Sequence, residues 1–147
     1  MRRIRSARAR VGTTDDFAVL RFNTDGTLDT SFGGTGRVTT AIGPGHESGQ
    51  RLTLGPDGKI VVGGYTSNGV NNDFAVVRYN VDGTLDTSFG GTGIVTTAIG
   101  SGNDSGSGVA VQADGKIVVG GTARIGATDD FALVRYNVDG TLDTSFG

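Results

Sequence analysis

Residues 74–90 read FAVVRYNVDGTLDTSFG, and nearly the same segment occurs at residues 17–33 (FAVLRFNTDGTLDTSFG) and 131–147 (FALVRYNVDGTLDTSFG). The phenylalanines that begin the three segments are 57 residues apart. A fixed period of this length indicates an array of structural repeats, each of which stacks on its neighbours. The 147 residues hold about two and a half repeats and start and stop inside one. We therefore expect either part of a longer array or a chain that assembles with other copies of itself.

Each repeat contains four short segments with the features of β-strands. In the middle repeat the first two are residues 50–54 and 59–66, and the Asp57-Gly58 pair between them is a strong hairpin signal, because glycine readily adopts the positive φ of the turn. The third and fourth strands are expected at residues 74–79 and 94–99. Short turns join all four, which predicts antiparallel neighbours.

The third strand carries apolar side chains on both of its faces. Alternation along a strand sends successive side chains to opposite sides of the sheet. One face therefore holds Phe74, Val76 and Arg78, and the other holds Ala75, Val77 and Tyr79. A strand that is apolar on both faces is typical of a sheet packed between two other sheets.

These features predict an all-β fold, a β-propeller-like array of four-stranded antiparallel blades. Solenoid coils are usually shorter than this unit, and the helical 3.6-residue apolar period is absent throughout. The 27 glycines and only two prolines are typical of a turn-rich β protein. The glycine pairs at 63–64 and 120–121 indicate close approach of another backbone near a crowded inner strand.

The charge is distributed unevenly along the chain. Residues 1–10 hold five arginines and no acid, whereas residues 11–147 hold eight basic and fifteen acidic residues, a net charge of −7. We treat 1–10 as a separate Arg-rich segment, either disordered or a degenerate strand, and 11–147 as a single tandem-repeat domain. An acidic body argues against nucleic-acid binding, which needs a basic face. No apolar run approaches the length of a membrane span, and the basic start lacks the apolar stretch of a secretory signal.

The string DGTLDTSFGGTG at 25–36 and 82–93, truncated at 139–147, resembles the bacterial delta-60 repeat family. The hairpin VAVQADGKIVVGG at 109–121 is similar to the same family and to the inner hairpins of other propeller repeats. The resemblance covers about residues 11–147. It implies a tandem β module without an established activity, often found in large bacterial proteins of the cell surface or exterior. Such proteins usually carry more copies and an export signal, and this chain departs from them in both respects.

The residue inventory argues against an enzyme. The chain has no cysteine and one histidine, His46, so any Ser-His-Asp arrangement would depend on that residue alone. One period later the position of His46 is occupied by Asn103. This change favours the interpretation of His46 as an exposed loop residue. We therefore expect no catalytic residues and no cofactor. The alternative is a fragment of a larger propeller enzyme.

Calcium is a more serious metal candidate than zinc, because a repeated turn carries hard oxygen ligands around a glycine, whereas the ligands of a zinc site are lacking. The candidate ligands are Asn23, Asp25 and Asp29 in the first copy, Asn80, Asp82 and Asp86 in the second, and Asn137, Asp139 and Asp143 in the third. The other interpretation is turn chemistry, in which Asn and Asp bind their own backbone. A calcium-stabilised adhesion repeat is accordingly the second functional hypothesis.

One arginine recurs inside the third strand of every repeat. Arg21, Arg78 and Arg135 share this position. The first interpretation is an ion pair between blades with a repeat aspartate such as Asp86, since the planar guanidinium suits a half-buried carboxylate. The second is a site for an anionic ligand between blades.

The copies differ unevenly, which suggests a recognition surface. Copies two and three differ at 2 of 19 positions over 72–90 and 129–147, but at 15 of 27 over 45–71 and 102–128. Loops that vary on a repeated scaffold usually carry binding specificity. The candidate binding-loop residues are His46, Glu47, Tyr65, Ser67, Asn68, Asn71, Asn72, Asn103, Asp104 and Arg124. We expect a non-enzymatic structural or binding module that presents these loops to a protein or glycan, and that associates with itself or with further repeats.

Overall fold

The computed structural model describes residues 3–147, and everything it describes there is strand, turn or loop. Ten strands follow one another along the chain and form three antiparallel sheets. They are β1 (Arg3–Val11), β2 (Thr14–Phe22), β3 (Arg37–Thr40), β4 (Glu47–Leu54), β5 (Ile60–Ser67), β6 (Asn72–Tyr79), β7 (Ile94–Thr97), β8 (Asp104–Val111), β9 (Ile117–Ile125) and β10 (Thr128–Tyr136). No helix among these residues is long and apolar enough to cross a membrane.

Each sheet is one blade, and strands that follow one another in the chain pair within it. Blade 1 has the order β1-β2-β3, blade 2 has β4-β5-β6-β7, and blade 3 has β8-β9-β10. The four-strand prediction is therefore confirmed in full for blade 2. The segment 85–89 contributes only one bridge, between Tyr79 and Leu85, and is not a strand. The three blades do not close a ring, as expected for an incomplete propeller.

The Arg-rich start of the chain belongs to blade 1. Residues 3–11 pair with β2 over their whole length, from Arg3 opposite Phe22 to Val11 opposite Thr14. The described part of the segment is thus a strand that occupies the repeat position of β5 and β9. Residues 1–2 of the proposed separate segment lie outside the described residues.

Each blade presents two different faces to its neighbours. We name the face with Phe17, Phe74 or Phe131 the F face, and the face with Phe22, Tyr79 or Tyr136 the Y face. The F face of blade 1 packs on the Y face of blade 2 in one core cluster. The F face of blade 2 packs on the Y face of blade 3 in the second. The prediction of a strand buried on both faces is confirmed for β6, which is buried from Phe74 to Tyr79.

The paired glycines allow the innermost strand to approach closely. A Cβ on Gly64 would lie 1.9 Å from the carbonyl oxygen of Ser48, and one on Gly121 would lie 1.9 Å from that of Ser105. Both sites adjoin a register shift in the neighbouring inner strand, between Gly49 and Arg51 in blade 2. The predicted close backbone approach is confirmed for Gly64 and Gly121, beside a bulge in the pairing, whereas a Cβ on Gly63 or Gly120 would meet side chains.

Candidate functional site

The antiparallel order places the hairpins that differ most between copies at one end of the array. The β1–β2, β5–β6 and β9–β10 hairpins lie there together with the connections between blades, residues 41–46 and 98–103. We name this end the variable rim. The opposite end carries the turns that follow β2, β6 and β10, and we name it the constant rim.

Loops of neighbouring blades contact each other on the variable rim. The backbone N–H of Asn72 donates to Asn103 Oδ1 at 3.0 Å, and Asn71 Nδ2 donates to the carbonyl oxygen of Ser101 at 3.1 Å. At the other junction, the N–H of Asp15 donates to His46 Nδ1 at 3.3 Å. The structure therefore brings four predicted loop residues to the blade junctions, where they join adjacent loops. Asp15, the partner of His46, was not among the predicted binding residues.

The β5–β6 hairpin is shaped by Asn68. Its side-chain oxygen accepts the N–H groups of Val70 at 2.9 Å and Asn71 at 3.0 Å, and its amide donates to Asp73 Oδ2 at 3.0 Å. The Ser67 hydroxyl accepts the N–H of Gly69 at 3.3 Å. Val70 is 94% exposed at the tip of the loop. Asn68 and Ser67 thus hold the hairpin in place, and the tip presents an apolar group to solvent.

Two of the predicted binding residues are buried, which corrects their assignment to a contact surface. Glu47 and Asp104 are both 0% exposed. Glu47 accepts the N–H groups of Ile42 at 2.8 Å and of Gly43, and Asp104 likewise accepts those of Ile99 and Gly100. Burial raises the pKa of Glu47, although these hydrogen bonds act in the opposite direction. Their repeat position identified them as loop residues, but the sequence did not show that the loop folds over them.

Tyr65 and Arg124 lie beside the hairpins. Tyr65 is half-buried and pairs with Ser48 across the sheet. Arg124 Nη1 lies 3.3 Å from Asp129 Oδ1, and both side chains are about half exposed or more. The backbone N–H of Arg124 donates to the carbonyl oxygen of Asn103 at 3.2 Å. Arg124 therefore remains available at the rim.

On the constant rim, the residues proposed for calcium bind their own turn. Asp82 Oδ1 accepts the backbone N–H of Thr84 at 2.9 Å and its hydroxyl at 2.7 Å. Asn80 Nδ2 donates to Thr84 Oγ1 at 3.0 Å. The hydrogen bonds from Thr84 hold the pKa of Asp82 below its usual value. The same bonds recur around Asn23 and Asp25 and around Asn137 and Asp139.

The third proposed ligand, Asp86, faces a different set of partners. Its Oδ2 accepts Arg78 Nε at 2.6 Å and Lys59 Nζ at 2.8 Å, and its Oδ1 accepts the hydroxyl of Ser88 at 2.7 Å. Burial alone raises the pKa of Asp86, but the bonds from Lys59 and Ser88 and the charge of Arg78 outweigh it and lower the pKa well below its usual value. The guanidinium of Arg78 also lies over the Phe89 ring, 4.7 Å from its centre.

This cluster recurs in all three repeats. Arg21 binds Asp29 at 2.8 Å, and Arg135 binds Asp143 at 2.7 Å, with Lys116 Nζ on the same Asp143 oxygen. The predicted ion pairs are present, but they lie within a repeat, so their placement between blades was wrong. The same guanidinium does reach the next blade, through a hydrogen bond to a backbone carbonyl oxygen. Arg21 Nη1 donates to Val81, and Arg78 Nη1 donates to Val138 at 2.7 Å.

In the repeated turns, the side chains proposed as calcium ligands bind groups of the protein and do not converge on one point. Among residues 3–147, no three His, Cys, Asp or Glu side chains lie together in a group that could hold a metal ion. The sequence pattern did not reveal that Lys59 and Lys116 join the carboxylates of Asp86 and Asp143. One signal was available in the sequence: the lysine of each Asp-Gly-Lys turn lies 27 residues before the aspartate that it contacts.

Comparison with known proteins identifies the family. A family model described as "Domain of unknown function (DUF5122) beta-propeller" matches residues 6–32, 55–89 and 112–146. No curated protein matches the chain. The three matched segments cover about two thirds of the sequence and coincide with the repeats that carry the delta-60 phrase. The chain therefore belongs to the DUF5122 β-propeller family, and the resemblance to the delta-60 repeats is confirmed.

Proposed function

We propose that this chain is a non-enzymatic binding module that contacts a protein or glycan partner through its variable rim. The observation that carries the proposal is the distribution of differences between repeats. The hairpin at 65–71 differs from its copy at 122–128 at six of seven positions, whereas residues 80–90 are identical to 137–147. Residues 80–90 include the buried side chains of Asp86 and Phe89, whose packing favours a constant sequence. The differences are concentrated in the exposed hairpin, where loops on a repeated scaffold usually carry binding specificity.

The geometry supports the variable rim as the contact surface. The hydrogen bonds of Asn68, Glu47 and Asp104 hold the backbone of the loops, which limits the entropy that binding must remove. Val70 at the hairpin tip is exposed, and Arg124 and His46 are more than a third exposed. A rigid rim with varied tips is typical of surfaces that recognise a partner by shape and hydrogen bonding.

The non-enzymatic part of the proposal is supported by the surroundings of the one histidine. His46 Nδ1 lies 3.2 Å from Asp15 Oδ2 and accepts the N–H of the same residue, both at a blade junction. No serine or threonine hydroxyl is bonded to this ring among the described residues. The ring therefore joins two loops and has no nucleophile to activate.

A loop exchange tests the proposal. In one variant, residues 67–71 (SNGVN) are replaced by RIGAT, the sequence of 124–128, which keeps the glycine that both hairpins use at positive φ. The control is Val81→Thr on the constant rim, which copies the first repeat. The wild type, the exchange variant and the control are each applied to a glycan array and to a panel of displayed peptides. We expect the exchange to change the binding profile and the control to preserve it. Equal profiles for all three proteins would contradict the proposal.

A further inference from the structure

The F face of blade 3 is the counterpart of two faces that are fully buried elsewhere in the molecule. Phe17 and Phe74 are 0% exposed, whereas Phe131 at the same repeat position is 97% exposed. Leu133 is 65% exposed, although Val19 and Val76 at its position are also 0% exposed. An apolar group of this size that is exposed on a flat sheet usually marks an interaction surface.

Hydrogen-bond donors on the same side of blade 3 are also unused. At the two existing junctions, the N–H groups of Gly33 and Gly90 donate to Asp82 and Asp139 carbonyl oxygens at 2.8 Å. The corresponding donor in blade 3 is the N–H of Gly147. Within residues 3–147, neither this N–H nor Arg135 Nη1 has a hydrogen-bond acceptor.

The Y face of blade 1 has the matching acceptors. The turn that begins at Asn23 closes with the same bond as its copies, from the N–H of Gly26 to the Asn23 carbonyl oxygen at 3.1 Å. The carbonyl oxygens of Thr24 and Asp25 therefore stand at the repeat positions of those of Val81 and Asp82. Among the described residues, these two carbonyl oxygens accept no hydrogen bond. Donors left over on blade 3 thus correspond to acceptors left over on blade 1.

The shape of the Y face of blade 1 also suits the exposed phenylalanine. In the first junction, the Phe17 ring covers Gly64 of blade 2, with its Cζ 3.0 Å from the position of a glycine Cβ. Ala7 takes the place of Gly64 in blade 1, and it lines an open depression of about 560 Å³ together with Ala18 and Leu20. Because a Cβ at this position is tight against a ring placed as Phe17 is, the Phe131 ring must shift by a few tenths of an ångström to lie beside Ala7. Arg8, Arg10 and Arg37 also line the depression.

Arg3 and Arg5 are departures of blade 1 from the repeat, since Ile60 and Ile117 occupy the first position in the other blades, and Val62 and Val119 occupy the second. Ile117 lines a cavity of about 160 Å³ between blades 2 and 3, and Asp57 lines it from the other side. At a junction of blade 3 with a copy of blade 1, Asp114 and Arg3 take these two places. The arginine then faces a carboxylate. Arg5 is on the same face as Arg3, and at this junction its long side chain must extend past the free edge of β1 to keep its charge in solvent.

We propose that the F face of blade 3 binds the Y face of blade 1 in a second copy of this chain. The contact is head to tail, so each copy uses two different surfaces, and association continues to a closed ring or a filament. Arg135 donates to the Thr24 carbonyl oxygen of the second copy, and Gly147 donates to that of Asp25. Phe131 fills the depression beside Ala7.

Two blocked variants and their mixture test the contact. Phe131→Glu blocks the F face of blade 3, and Leu20→Glu blocks the Y face of blade 1. We expect the wild-type chain to sediment with a mass that rises with concentration, and each variant alone to sediment as a 15.0 kDa monomer. An equimolar mixture retains one intact face of each kind, so it is expected to form a dimer of twice that mass and nothing larger.

Controls separate this result from loss of folding. Val70→Glu introduces the same charge at an exposed apolar residue on the variable rim, and it is expected to assemble like the wild type. Far-ultraviolet circular dichroism checks that each variant is folded. If Leu20→Glu does not fold, Arg3→Glu replaces it, and the double variant Arg3→Glu/Asp114→Lys, which reverses both charges of the contact, is expected to restore self-assembly.

Several results would overturn the proposal. One is a wild-type chain that stays monomeric at the highest concentration measured. Another is a Phe131→Glu variant that assembles as the wild type does. Dimers formed by Leu20→Glu alone would indicate that two F faces pair with each other, which the head-to-tail contact excludes. A mixture that remains monomeric would also contradict it.

Discussion

At the residue scale, one cluster recurs in every repeat and fixes the constant rim. Arg78 contacts the carboxylate of Asp86, the ring of Phe89 and a carbonyl oxygen of the next blade, Val138. A guanidinium has five donors in a rigid plane, so it can serve all these partners at once. Lysine at the same position would keep the charge and lose the geometry.

Removing the carboxylate of this cluster leaves two cations without their partner. We expect Asp86→Asn to lower the free energy of unfolding by about 3 kcal/mol, because Asp86 is only 5% exposed and Arg78 is 6% exposed. Urea denaturation followed by circular dichroism measures the change. Asp82→Asn is the matched control, since Asp82 lies in an exposed turn that asparagine also accommodates, and it is expected to unfold as the wild type does.

The same carboxylates make stability depend on acid. The pKa values of Asp86 and Asp143 are lowered in the folded chain, so the unfolded chain binds protons more readily as the pH falls. Their contribution is complete at neutral pH and is lost below about pH 4, the usual range of an aspartate. We expect the free energy of unfolding to be similar at pH 7 and pH 5 and clearly lower at pH 3.

The Asp86→Asn variant isolates this effect. Glu47 has a raised pKa and acts in the opposite direction, but it is present in both proteins. The difference between wild type and variant should therefore shrink as the pH falls from 5 to 3. A difference that stays constant over this range would show that the pKa of Asp86 is not lowered in the folded chain.

At the element scale, the inner strands determine where glycine is required. The bulges in β4 and β8 bring a carbonyl oxygen against Gly64 and Gly121. In blade 1, no strand among the described residues pairs with the free edge of β1, and alanine occupies the same position, Ala7. The requirement for glycine therefore comes from the neighbouring strand and not from the conformation of the residue itself.

A methyl group tests this explanation. Gly121→Ala places a Cβ 1.9 Å from the carbonyl oxygen of Ser105, so the backbone must move, and we expect a loss of about 3 kcal/mol in the free energy of unfolding. Gly108→Ala in the adjacent strand is the control, because its nearest atom would lie 3.8 Å away. Thermal melts of both variants provide the measurement. Equal losses would mean that the close approach is not the cause.

At the scale of the whole molecule, the repeats support one another through two cores. Each core combines the F face of one blade with the Y face of the next, and neither face could be buried within a single blade. The stability of such arrays is close to a sum of units and interfaces. The exposed F face of blade 3 is therefore the place where a further interface adds stability.

The calcium hypothesis is tested at this scale, because an ion bound in every repeat would stabilise the whole array. The oxygens of Asp82 and Asp86 already accept hydrogen bonds from Thr84, Arg78 and Lys59. We therefore expect the melting temperature to be the same, within about 1 °C, in excess chelator and in excess Ca²⁺. A clear rise with Ca²⁺ would support the ion and show that these turns rearrange to bind it.

The amino-acid sequence by itself determined the repeat, the strand order and the two-faced character of β6, because alternation and Asp-Gly turns are local properties of the chain. It also paired Arg78 with Asp86, since the two recur together in each copy. Only the tertiary structure decided that this pair lies within a repeat, that Glu47 and Asp104 are buried, and that Phe131 is exposed while Phe74 is not. These outcomes depend on which loop or blade covers a residue. Identical local sequences carry no record of their different neighbours.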